Sequence, residues 1–516
     1  MATYELTQPR EYRGIRAMAL KHDFIVKALP ILAILGFQVL LSLSLQNSIF
    51  QDEALYLYVG RRIFEHVSND VPFFSGSPYL YPVMAGFLDK VGGLELARML
   101  SLFWMLVSSL MVFHVTRHLF DINSAYFGMA IYAVQGPILF MGRLATYDAM
   151  CLALLSMALF FSIISSKTKG VWLGIVTGLI LGLAMVTKYA GLLWFPGLLA
   201  VTFWFNTQTR GWKNAALLTL MIGAIVAAVI ATALYLDPEM LTAIHNTTTN
   251  RVVGAQNSTW AVFKLAFDRT VLPIGLVFFG LLVCGFNKNL PTALILFGSA
   301  LLAPAYHVYK AEVISLQKHI GYGFMFGAPL IGYGMARLGG YIKDRIDIIG
   351  NQWALSLVIA LLTFSIGYRQ AQQFYTEWPD VSQVVTLMKS EIRPNDSRIL
   401  AEDAEVYRYY FQDRFAEWQW NHLYWFEYTD EAGNYYPSGE AAYEAAIRDG
   451  YFDLIALRYG PAKNMAEAID DSIGASGQYT LIASIPSDTS FGPGETLVWR
   501  HNPGATVSNQ TEIGEQ

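Results

Sequence analysis

The chain has 516 residues, of which 54% are hydrophobic and 15% charged, against roughly 25% charged in an average soluble domain. That composition excludes a disordered chain and argues against an ordinary soluble enzyme. The net charge of −5 conceals a split: residues 1–368 carry 25 basic and 17 acidic groups, and residues 369–516 carry 10 and 23. An apolar, slightly basic part thus precedes an acidic, soluble-looking one. No basic tract of the nucleic-acid-binding kind is present, so nucleic acid is not an expected partner. Cys151 and Cys284 both lie in apolar runs, which excludes a disulfide framework and a Cys-based zinc site.

Residues 1–27 read as a basic cytoplasmic segment. From 28 to 368, eleven apolar runs of near-bilayer length predict a polytopic α-helical membrane domain. They centre on 28–46, 97–116, 124–142, 148–166, 171–187, 190–205, 215–235, 271–286, 291–306, 320–337 and 352–368. With the N-terminus in the cytoplasm, 14 Lys and Arg residues fall on the inner side and 10 on the outer, the latter mostly in long loops. That asymmetry sets the orientation. An odd number of spans then sends residues 369–516 outside as an extracytoplasmic domain. There, helix-like stretches at 380–391 and 439–449 alternate with short β-like runs, which predicts a small α/β unit.

Polar sequence gathers on the outer side. In the loop 47–93, Asp52 and Glu53 open a stretch in which Leu55, Val59 and Ile63 recur at helical spacing, predicting an interfacial helix. Asp at such a start is ordinarily an N-cap. It is also a carboxylate placed to take a proton from a substrate hydroxyl. Tyr79 and Tyr81, bracketed by Pro78 and Pro82, read as an aromatic belt or as the wall of a lipid or sugar groove, with Glu53 beside it. Arg143 and Asp148 flank the very short turn between the third and fourth runs. A snorkelling Arg and a capping Asp are the bland readings, but charge near a bilayer is costly and points to function. Lys188 and Tyr189 follow an apolar run directly, and His307, Lys310, Lys318 and His319 flank the third outer loop. Taken singly they suit headgroup contact; together they suit an anionic phosphate.

The order of these signals resembles the C-type (GT-C) membrane glycosyltransferases, in the branch of the protein O-mannosyltransferases and aminoarabinose transferases. The resemblance is carried by Asp52-Glu53, Pro78-Tyr79-Leu80-Tyr81-Pro82, Leu96 through Ser101, Arg143 through Asp148 and Gly182 through Tyr189. It covers residues 28–200 well and the rest loosely. It implies the GT-C fold, Asp52 as catalytic carboxylate, Asp148 as a second active-site acid and Lys188 in donor binding. The implied donor is a polyprenyl-phosphate sugar. Ser77 stands before Pro78 where many relatives carry a basic residue, and relatives often have more spans, so the acceptor (lipid, glycan or protein) stays open.

A lipid phosphate leaves as a stable anion, so a glycosidase-like acid/base pair is not required. A cation cluster and one base suffice, and direct attack inverts the anomeric centre. No D-x-D or zinc motif occurs, so no metal or other cofactor is implied. The expected location is the plasma (inner) membrane, among its lipids. The alternatives are a transporter or flippase, and a noncatalytic sugar-binding envelope protein using Trp418, Trp420, Tyr424, Trp425 and Tyr428. A transporter is expected to carry ionisable groups at midplane and repeated halves, and neither is visible.

Overall fold

The structure, a computed structural model, describes residues 10–67, 74–168, 170–248, 257–285, 290–345, 354–393, 397–460 and 462–502. Residues 1–9 of the N-terminal segment and 68–73 of the first outer loop lie outside them, as do Lys169, Arg251 and Lys288 of the charge asymmetry.

Helix occupies every apolar run. The membrane part comprises α1 (Arg10–Leu43), α2 (Gln51–Phe64), α3 (Tyr81–Leu119), α4 (Ile122–Ala133), α5 (Gly136–Arg143), α6 (Asp148–Lys167) and α7 (Trp172–Thr187). A 3₁₀ turn (Tyr189–Trp194) precedes α8 (Phe195–Arg210), α9 (Trp212–Leu236), α10 (Glu239–Thr248), α11 (Thr259–Gly285), α12 (Leu290–Lys310), α13 (Leu316–Arg345) and α14 (Ala354–Tyr375). By length and apolarity seven described helices can cross a membrane, or eight if the α4–α5 pair, bent by 63°, is one span. Lys27–Leu43 and Trp172–Thr187 are shorter apolar helices. The expected third span therefore breaks, because Gly136 and Pro137 open a new helix after the extended Gln135. A second break divides α3 at Gly92 and Gly93, the latter at φ 71°, a value glycine adopts without strain. Residues 81–91 form one arm of the kinked helix and residues 94–119 the other.

Two helices form the interior. Most of α6 from Asp148 to Ser166 is buried, and so is α13 from Ile320 to Ala336. Enclosed by protein, α13 tolerates Gln317, Lys318 and His319, which lipid exposure would penalise. Glycines bring its neighbours close: a Cβ on Gly332 would lie 2.1 Å from the Ser124 carbonyl oxygen of α4, and one on Gly280 would lie 2.1 Å from that of Leu330. These contacts pack the middle of α13 against α4 and α11.

The C-terminal part begins after α14, which runs past residue 369 to Tyr375. It holds α15 (Ser382–Glu391), β1 (Ile399–Ala401), α16 (Ala404–Phe411), β2 (Trp420–Asn421), β3 (Tyr428–Thr429), β4 (Tyr435–Tyr436) and α17 (Glu440–Arg448). There follow β5 (Leu454–Leu457), α18 (Lys463–Ser476), β6 (Tyr479–Thr489) and β7 (Gly492–His501). One sheet has the order β2-β1-β5-β7-β6, with β1 parallel to β2 and β5, and β7 antiparallel to β5 and β6. Leu400, Ile455, Phe452, Ala446 and Ile469 make its core against the helices. The α/β expectation holds; α16 and α18 are additional helices.

This domain is seated on α2. Tyr410 accepts the Ile49 N–H at 3.2 Å, and Tyr409 donates to Asp89 at 2.6 Å. Trp378 donates to the Ser48 carbonyl at 3.1 Å, and Arg61 pairs with Asp413. The aromatic group singled out in the tail divides: Trp420 and Tyr428 are buried, whereas Trp418, Tyr424 and Trp425 are exposed.

Candidate active site

The site is built where α2, α6 and α13 begin. The N-cap of α2 is Phe50, in an extended conformation, and Asp52 is two residues inside the helix. Asp52 is therefore not the cap. Glu53 reaches back instead and accepts the Phe50 N–H at 2.9 Å. The same carboxylate accepts Nε and Nη2 of Arg98 at 2.9 and 2.8 Å, and the Ala145 N–H at 2.7 Å. Arg98 also donates to the Asn47 and Ser48 carbonyls, both at 3.1 Å. Glu53 and Arg98 are 0% and 1% exposed. Glu53, expected to line a substrate groove, is thus a fully bonded internal cap with no face left for substrate.

Arg143 belongs to the same assembly. It donates to the Leu45 carbonyl at 2.9 Å and pairs with Glu95, while Tyr375 donates to the Arg143 carbonyl at 3.1 Å. Arg143 is buried rather than snorkelling, and its Nη1 has no hydrogen-bond partner among the described residues.

Consecutive helical residues diverge by about 100°, so Asp52 faces elsewhere. It pairs with Lys318 of α13. The Lys318 ammonium also lies 3.8 Å from Oδ2 of Asp148 and 5.2 Å from the centre of the Phe50 ring. Asp148 is the first residue of α6, whose N-cap is Tyr147, so it too is not a cap. Its Oδ1 pairs with Lys188 and accepts from the Tyr322 hydroxyl at 3.3 Å, and its Oδ2 accepts from Thr146 at 3.2 Å. The result is a chain of alternating charge: Asp52, Lys318, Asp148, Lys188. Of these side chains Asp52 is 37% exposed, and the others are 6% or less.

Lys188 owes its place to a helix break. It sits between α7 and the 3₁₀ turn at φ −152° and ψ 117°. The loop 75–77 is stitched against it: Ser77 N–H donates to the Val186 carbonyl at 2.8 Å, and Tyr189 N–H to the Ser75 carbonyl at 2.9 Å. A Cβ on Gly76 would lie 2.0 Å from the Thr187 carbonyl oxygen. Tyr147 stacks on Tyr56 at 4.4 Å and accepts its hydroxyl at 2.6 Å, with Lys188 5.6 Å from the Tyr147 ring centre.

The remaining expected residues separate. Tyr189 lies beside Lys188, its hydroxyl donating to Thr247 at 2.9 Å. Tyr81 is buried, its hydroxyl 2.6 Å from that of Ser101, so it packs the arm instead of lining a groove. Tyr79 is exposed. Lys310, also exposed, ends α12 and stacks on Tyr309, apart from the charge chain. His307 and His319 contact one another, with Nε2 of the first 2.9 Å from Nδ1 of the second. Residues absent from the sequence expectation are Tyr56, Thr146, Tyr147 and Tyr322. Lys318 and Tyr322 are spaced i, i+4, the one signal that could have paired them. Among the described residues, no three His, Cys, Asp or Glu side chains come together as a metal site.

Comparison with known proteins places this geometry in context. The family model of dolichyl-phosphate-mannose-protein mannosyltransferases matches residues 78–236, from just before α3 through α9. The crystal structure of ArnT from Cupriavidus metallidurans in the apo state superposes with a TM-score of 0.59 at 13% identity, covering 94% of this chain and 99% of that one. ArnT bound to undecaprenyl phosphate gives 0.59 at 12% identity, covering 92% and 98%. The archaeal oligosaccharyltransferase AglB from Archaeoglobus fulgidus, in complex with an inhibitory peptide and a dolichol-phosphate, gives 0.53 at 11% identity, covering 90% and 74%. No curated protein matches the chain. The fold is the GT-C fold, and the chain resembles the protein mannosyltransferases and ArnT.

Proposed function

We propose that this protein transfers a sugar from a polyprenyl-phosphate donor to an acceptor hydroxyl, with Asp52 as general base and inversion at the anomeric carbon. The observation that carries the reading is the charge chain, in which the one accessible carboxylate, Asp52, shares Lys318 with the buried Asp148. The undecaprenyl phosphate and dolichol-phosphate held by the similar ArnT and AglB structures support the donor class.

In this reading the donor phosphate is held by Lys188 and Lys318. Both ammoniums are nearly dry, where a charge-assisted contact to phosphate is strong. Lys318 turns from Asp52 to the phosphate, which frees Asp52. The acceptor oxygen attacks the anomeric carbon and gives its proton to Asp52. The bond from that carbon to the phosphate oxygen breaks, and the lipid phosphate leaves as an anion. Asp148, between the two lysines, keeps both ammoniums in place. The acceptor approaches the exposed side of Asp52, near the C-terminal domain, whose Glu405 lies 3.5 Å from Gln51.

The test is transfer by the purified full chain in lipid nanodiscs, supplied with undecaprenyl-phosphate sugars. Release of undecaprenyl phosphate that depends on Lys188 and Asp52 supports the reading; release unaffected in both variants rejects it. The reading places the N-terminus in the cytoplasm, the C-terminal domain outside and the protein in the inner membrane. Asp488 is exposed on the β6–β7 hairpin and both native cysteines are buried. Asp488→Cys should therefore react with an impermeant thiol reagent in intact cells; reaction only after lysis reverses the orientation.

A further inference from the structure

The two histidines at the ends of the third outer loop differ in what they offer a ligand. Nδ1 of His307 lies 2.7 Å from the Glu312 carbonyl oxygen. A carbonyl only accepts, so that nitrogen carries the proton. In the neutral state of His307 its Nε2 is then a lone pair, and it faces Nδ1 of His319 at 2.9 Å. His319 must donate there, which leaves its own Nε2 as a lone pair. That atom is buried and has no hydrogen-bond partner. The donors run in one direction, from His319 to His307 to the Glu312 carbonyl.

The unpaired nitrogen lies near the charge chain. His319 follows Lys318, and its ring lies 6.2 Å from that of Tyr322, the residue that donates to Asp148. Lys188, Asp148 and Lys318 are its charged neighbours. An unmet buried acceptor is destabilising, and such groups in native proteins usually have a ligand or water to meet them. A lone pair repels a phosphate oxygen and attracts a hydroxyl. The sequence expectation that His319 helps to hold phosphate therefore fits the neutral pair poorly.

We propose that Nε2 of His319 accepts a hydroxyl of the donor sugar, with His307 and the Glu312 carbonyl locking the tautomer. This rests on the functional reading above. The donor sugar is favoured over the acceptor because His319 adjoins the buried lysines assigned to the donor phosphate, whereas the acceptor approaches the open Asp52.

The experiment compares two lipids on the full chain in nanodiscs: undecaprenyl phosphate, and undecaprenyl phosphate carrying mannose, glucose or 4-amino-arabinose, whichever the wild type binds best. His319→Phe should weaken the sugar-bearing lipid about tenfold, equivalent to about 1.4 kcal/mol, and leave undecaprenyl phosphate within about twofold. His319→Gln, which keeps an acceptor oxygen, should fall between. His307→Leu leaves the His319 ring in place but removes the acceptor of its Nδ1–H, and should narrow the preference for the sugar-bearing lipid. It serves as the test if His319→Phe does not fold. Ring ¹⁵N shifts of the wild type should report protonated Nδ1 and bare Nε2 on both histidines. Equal weakening of both lipids would make His319 a phosphate contact and overturn the inference; unchanged binding of both, or an Nε2-protonated His319, would also overturn it. A wild type that binds neither lipid removes the functional reading, and this inference with it.

Discussion

Asp52 and Glu53 are neighbours in the chain and opposites in the structure. Glu53 and Arg98 are sealed from solvent, and the Glu53 carboxylate accepts from the Phe50 and Ala145 amides as well as from Arg98. Asp52 and Lys318 are joined by a contact that leaves the carboxylate 37% exposed and the ammonium shared with Asp148. A saturated buried pair resists change, since removing one partner strands the other charge. An open pair that shares its cation can exchange partners at modest cost. The first assembly anchors residues 45–53 to α3 and to the 143–147 turn, and the second inherits its position from that anchor. Stability and reactivity are thus carried by adjacent residues on different faces of one helix.

The comparison breaks most decisively at Asp52. Asp52→Asn keeps the shape and removes the basicity, so turnover should fall by about 10²–10⁴-fold with the thermal midpoint unchanged. Wild-type turnover would move the base elsewhere, first to Asp148; a large loss of stability would make the Asp52 assembly an anchor like its neighbour. Arg98→Met should do the reverse. It leaves Glu53 buried and unpaired, at a cost of about 3–5 kcal/mol, read by thermal or denaturant unfolding in detergent. A variant as stable as wild type would show that backbone bonds to Glu53 suffice.

Gly76→Ala sharpens the boundary between the two assemblies. Its Cβ would press on the Thr187 carbonyl oxygen, and overpacking of this kind costs about 1–3 kcal/mol. Because the strain falls next to Lys188, affinity for undecaprenyl phosphate should drop more than stability does; equal loss of both would show that the loop supports the fold alone. The smallest effect is expected at Asp413→Asn, which removes the pair between the C-terminal domain and Arg61. Asp413 is 70% exposed, and such pairs contribute about 0–1 kcal/mol. Detachment of the domain, seen as new protease cleavage after α14, would show that this contact is worth far more than its exposure implies.

How much of this was legible beforehand can be judged residue by residue. The apolar runs are local properties of the chain, and each carries helix. Asp52, Asp148, Lys188 and Lys318 could be singled out because charge beside apolar sequence is conspicuous, and the structure brings these four together from α2, α6, the α7 break and α13. The α4–α5 bend is not legible in the sequence because hydrophobicity averages across Gly136 and Pro137. Glu53 is not legible for a different reason: its residue type suits a ligand as well as it suits a buried bond, and only the partners decide.

Composition and periodicity, which need no knowledge of distant contacts, are enough to determine a membrane helical domain followed by an acidic α/β domain, and which side chains are too costly to lie idle near a bilayer. They cannot determine which of two consecutive acids is spent on the fold. That was decided when Arg98, 45 residues further along, and the Ala145 amide closed around Glu53. It was decided again when α13, held against α4 and α11 by glycine contacts, brought Lys318 to Asp52 and left a bare nitrogen on His319. Partner choice for a buried charge depends on what is left within hydrogen-bond reach once the helices have packed, and that is a property of the packed chain alone.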